Sequence, residues 1–294
     1  MLSRTVSSAE LRIRGGAIPS LKGDWTAVAA LPIILLLIAA AIEPLRLPVL
    51  LLLLIGFVTS LWRARSGGRP LGAPSTVYGA CLLAVTSMAW DVIRLPVSAR
   101  DGSTCADLLA PFAIYRAAGA LLVLFAVALV LRLVALRVSE IGLRRESWAA
   151  LAMAAGALVG VGLVAAVIGP AVAEPFFGPL PVALGNPWAL LPALLFAVAN
   201  ASMEEIAYRG VLLRFVMRWR GPALAMAVQA AAFGLAHGVG SDFAGSPVPI
   251  MVATTAAGLV FGAISLRTGS LLLPIALHAA LDIPIYYANA CLQH

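Results

Sequence analysis

Long apolar runs broken by short polar stretches dominate the chain. Nine runs stand out, over residues 27–42, 47–62, 77–93, 112–136, 148–168, 188–215, 223–237, 249–266 and 271–288. They are continuous rather than alternating, so they predict helices and disfavour a β-barrel. A helix crossing a bilayer needs about 20 mostly apolar residues. The pattern therefore predicts an all-α polytopic transmembrane bundle of eight or nine spans, eight if one short run is re-entrant. The run at 27–42 follows a basic lead and carries Ala39-Ala40-Ala41, as a signal sequence can. Its lead is long and a second apolar run follows at once, so it reads as a first span.

Composition sharpens this picture. Of 294 residues, 62% are hydrophobic and 11% charged, against about 45–50% and 25% in soluble domains. The net charge of +7 would raise nucleic acid as a partner in a soluble protein. Here the basic residues lie mostly between apolar runs, which fits membrane topology and anionic headgroups. The expected partners are the lipid bilayer and no nucleic acid.

Residues 1–26 read as a basic tail with Arg4, Arg12, Arg14 and Lys22. With that tail inside, Arg63, Arg65, Arg69, Arg132, Arg137, Arg144, Arg145, Arg214, Arg218, Arg220 and Arg267 also fall inside. Arg46, Arg94, Arg100 and Arg116 fall outside, and 170–187 has no Lys or Arg. The bias predicts an N-terminus inside. One lysine against nineteen arginines points to the inner (cytoplasmic) membrane of a bacterium. Cys81, Cys105 and Cys291 have no CxxC spacing, and only Cys105 and Cys291 are candidates for a disulfide.

Ionisable residues inside such runs are rare and functional by default. The sixth run carries Glu204, Glu205 and Arg209, the seventh His237, and the ninth His278 and Asp282. Asp91 fits an interfacial position and His294 is terminal. Glu205 and Arg209 are four apart and share a helix face, as an ion pair would. Glu204 points about 100° away, toward Asn200 and Tyr208, without a local counter-charge. That leaves it for another task, such as general base. His237 shares a face with Phe233. His278 and Asp282, also four apart, fit an oriented imidazole, a metal ligand pair or a proton relay.

Taken together, "EEIAYR" (204–209), "FGLAH" (233–237) and "HAALD" (278–282) resemble the motifs of the CAAX-protease and bacteriocin-processing family (CPBP, Abi or Rce1-like) of intramembrane endopeptidases. The resemblance covers about residues 148–288. It implies a core at 147–294, preceded by helices at 27–146 without a recognisable motif. It also implies a peptide or protein substrate associated with the membrane, prenylated or unmodified. Glu204 and His237 would activate water, and His278 and Asp282 would orient or stabilise the oxyanion, with no cofactor. Glu205, Arg209 and Phe233 would support the site. An ionised Asp282 cannot donate to an oxyanion, so it is expected to orient His278, which donates instead.

Three rival readings use the same residues. Glu204, His237 and His278 could hold a catalytic zinc, or the set could serve a proton-coupled carrier or a non-catalytic scaffold. One expectation is awkward. These spans put Glu204 toward the inner end of its helix and His237 toward the outer end of the next, an offset on the order of 10–15 Å. A seventh span displaced to begin within "RWRGPALA" (218–225) is expected to remove it.

Overall fold

A computed structural model describes residues 25–68, 71–89, 105–177, 187–239 and 246–291. Its helices are α1 (Trp25–Ala41), α2 (Arg46–Ser66), α3 (Ala73–Ala89), α4 (Cys105–Leu133), α5 (Trp148–Phe177), α6 (Pro187–Glu205), α7 (Leu213–Arg220), α8 (Pro222–His237), α9 (Val248–Thr268) and α10 (Leu272–Cys291). A π-helical segment, Ile206–Leu212, joins α6 to α7 without a break. The described residues contain no strand. Among the described residues, five helical stretches are long and apolar enough to cross a membrane, the joined α6–α7 among them, and four shorter helices are apolar as well. The protein is an integral membrane helical bundle, with roughly the expected number of spans.

The ends of the helices sort by charge. Arg63, Arg65, Arg132, Arg137, Arg144, Arg145, Arg214, Arg218, Arg220 and Arg267 gather at one end. There Arg218 pairs with Glu140 at 2.9 Å, Arg144 donates to the Thr268 carbonyl, and Arg65 donates to the Leu133 carbonyl. Glu146, at the same end, is held below the usual carboxylate range, chiefly by the Ser270 hydroxyl and further by Arg144.

Arg46 marks the opposite end. It is 2% exposed and donates to carbonyls in the last turns of three helices: Ala39 of α1, Met88 of α3 and Ala236 of α8. Terminal carbonyls lack helical partners, and a cation among three such ends is favoured by their dipoles. Arg94, Arg100, Asp91 and His294, and the side chains of Cys105 and Cys291 with the disulfide considered for them, lie outside the described residues.

Small residues bring α8 and α9 together, as is common between membrane helices. A side chain at Gly234 would run into Thr255 and the Met251 carbonyl, and one at Gly258 would meet Ala230. Gln229, fully buried on α8, donates to the Gly258 carbonyl at 2.8 Å.

The expected offset between Glu204 and His237 is not present. α7 continues to Arg220, and the chain reverses at Gly221, whose φ of +82° suits glycine. Pro222 then opens α8, inside the stretch where a displaced start was expected. Glu204 lies 17 residues before Gly221 and His237 lies 16 after it. At 1.5 Å per residue both stand about 25 Å from the turn. The offset arose from ending the sixth span at 215.

Candidate active site

Four helices supply the site: α4, the end of α6, α8 and α10. Glu204 and Glu205 stand where α6 gives way to the π segment. Such widened turns recur at functional sites. This one is crossed closely by the 138–141 turn. A side chain at Gly210 would come within 3.1 Å of the Ile141 carbonyl.

The structure brings all seven residues singled out in the sequence into one cluster. His237 Nε2 is 4.0 Å and His278 Nε2 is 3.6 Å from Glu204 Oε2. Asp282 Oδ1 is 3.5 Å from His278 Nε2. Glu205 Oε1 lies 3.0 Å from Arg209 Nη1 and 2.8 Å from His278 Nδ1. The expected Glu205–Arg209 pair is therefore present, but Glu205 also grips an imidazole, beyond the support role expected of it.

Arg209 is fully buried. Its guanidinium lies 4.1 Å from the Phe233 ring centroid and 5.7 Å from that of Phe261, where ring faces attract a cation. Its Nη1–Oε1 contact is short, yet it lacks hydrogen-bond geometry. Charge and ring faces hold this side chain. Phe233 also packs on His237 at 4.4 Å between ring centroids and meets His278 edge-on at 5.9 Å.

One neighbour of Glu204 was missed in the sequence, and so was the role of a second, Asn200. Glu204 was expected to lack a counter-charge, but Arg116 Nη2 of α4 stands 3.2 Å from its Oε1. Charge counting placed Arg116 on the outer side, at the start of the run 112–136, without a role in the site; the bundle largely buries it beside Glu204. The signal was an arginine inside an apolar run, which is rare enough to mark a site. Asn200 accepts from Arg116 Nε at 2.6 Å and donates to Asp282 Oδ2 at 2.9 Å. Its signal was a polar residue one turn before Glu204 on the same face.

Hydrogen-bond partners fix much of the proton arrangement. His237 Nδ1 lies 2.7 Å from the Phe233 carbonyl. A carbonyl only accepts, so Nδ1 carries the proton and Nε2, facing Glu204, is bare when the ring is neutral. Glu204 Oε2 is buried with no hydrogen-bond partner. Glu204, His278 and Asp282 are buried, whereas the His237 side chain is 33% exposed and forms the open side of the cluster. Among the described residues, no group of three His, Cys, Asp or Glu is arranged to hold a metal ion.

Residues 186–284 match the family model described as type II CAAX prenyl endopeptidase Rce1-like. That segment, about a third of the chain, is similar to the Rce1-like family. The match supports an intramembrane endopeptidase acting on a peptide or protein substrate. No curated protein and no solved structure gave a significant match. The Rce1-like segment contains every cluster residue except Arg116, which α4 contributes from outside it.

Proposed function

We propose that this Rce1-like chain hydrolyses a peptide bond in or near the membrane by a glutamate-activated water. The observation that carries the reading is the approach of Glu204 Oε2 and the bare His237 Nε2 to 4.0 Å. That gap is too long for a direct hydrogen bond and suits one water donating to both acceptors. As the water oxygen attacks the scissile carbonyl, Glu204 takes its proton and returns it to the departing amine. His237 orients the water from the open side of the cluster.

The tetrahedral oxyanion needs donors. His278 is the proposed one. Its Nδ1 donates to Glu205, so it can donate from Nε2 only as an imidazolium. Asp282 Oδ1 and Glu204 Oε2 both lie near Nε2. Asp282 orients His278, in keeping with the resemblance.

Helices within 27–146 are proposed as a supporting unit and 147–294 as the catalytic core. The location is the bacterial inner membrane, with the N-terminus and the arginine-rich end inside.

Comparative terminal proteomics of membranes carrying wild type or Glu204→Ala tests the reading. At least one protein should keep an uncut terminus in the variant, with the variant present at wild-type level. Identical termini in the two membranes overturn it.

A further inference from the structure

We infer that Arg116, which lies outside the Rce1-like segment, positions the base directly and the oxyanion side of the site through Asn200. An arginine can only donate. Because Arg116 Nε donates to Asn200 at 2.6 Å, the amide must turn its oxygen toward α4. Its NH2 group then faces Asp282, to which it donates at 2.9 Å. Nη2 of the same guanidinium stands 3.2 Å from Glu204 Oε1, on the side away from the histidines. One planar fork thus sets two carboxylates at once. Glu204 is held with Oε2 turned to His237 and His278. Asp282 is held with Oδ1 turned to His278.

Lysine cannot replace such a fork, since its ammonium is a single point on a flexible stem. Arg116 touches no reacting atom in the proposed reaction, so it is a positioning residue. What it positions rests on the endopeptidase reading, but the chain of contacts does not.

An exchange of groups between Asn200 and Asp282 tests the chain of contacts in the purified full-length protein. N200D sets a carboxylate against Asp282 and should lower both the unfolding temperature and the cleavage rate, the rate by about a hundredfold. Adding D282N restores the contact with its polarity reversed, because the carboxylate then accepts from Arg116 on one side and from the new amide on the other. The double variant should regain unfolding temperature and cleave about tenfold faster than N200D, a coupling typical of residues in contact. R116K should lose about a hundredfold in rate while unfolding close to wild type. Strict additivity of N200D and D282N in unfolding temperature, or wild-type cleavage by R116K, overturns the inference. The unfolding cycle needs no substrate, so it reads the contacts even if cleavage survives loss of Glu204 and the protease reading falls.

Discussion

His278 Nδ1 lies 2.8 Å from Glu205 Oε1, the same oxygen that faces Arg209 Nη1 at 3.0 Å. One carboxylate therefore ties the widened turn after α6 to the histidine of α10. Removing one partner of a buried pair leaves an uncompensated charge, whereas replacing both with apolar groups is often tolerated. Glu205→Ala should cost about 3–5 kcal/mol of stability. Glu205→Leu combined with Arg209→Met should recover most of that loss in a detergent melting assay. Cleavage should stay low in the double variant, because His278 has still lost its anchor. Recovery of both stability and cleavage would show that Glu205 serves Arg209 alone.

Phe233 lies under the Arg209 guanidinium and against both imidazoles. Phe233→Ala opens a cavity and uncovers the cation, and should cost about 3–5 kcal/mol. Phe233→Tyr keeps the ring face and should cost less. Melting of the two variants side by side checks this, and equal losses would contradict the ring-face account.

Gly234 has no room for a side chain, since Thr255 and the Met251 carbonyl already occupy the space. Gly234→Val should overpack α8 against α9 and destabilise by about 1–3 kcal/mol. It should also shift His237, one turn on, and lower cleavage even where the variant stays folded. A fully stable and active Gly234→Val protein would show that α8 and α9 can separate freely.

Zinc chemistry would run through the same Glu204, His237 and His278. The glutamate reading predicts that a strong chelator leaves cleavage by the purified protein unchanged. Loss on chelation with recovery on added zinc would move the water onto a metal.

The spans were legible because hydrophobic runs of bilayer length admit few other structures. The charged ends were legible for a related reason, since arginines stay out of the hydrocarbon. Their expected sorting to one side of the membrane corresponds to the cluster at the Arg218 end of the bundle. The Glu205–Arg209 pair was legible because four residues make one helical turn. What escaped was set by tertiary packing. Charge counting left Arg116 merely on the outer side, yet α4 packs on α6 and sets it beside Glu204. Asn200 needed its partner on α10 to acquire a role. The depth of Glu204 relative to His237 depended on where the chain reverses, and Gly221 and Pro222 decided it.

The most direct measurement is the cleavage rate of purified Glu204→Gln beside wild type, with both shown to unfold at the same temperature. The substitution keeps the shape of the side chain and removes its basicity. A general base contributes about 10²–10⁴-fold, so the variant should be slower by about a thousandfold and remain folded. A folded Glu204→Gln protein that cleaves within about tenfold of wild type would contradict water activation by Glu204.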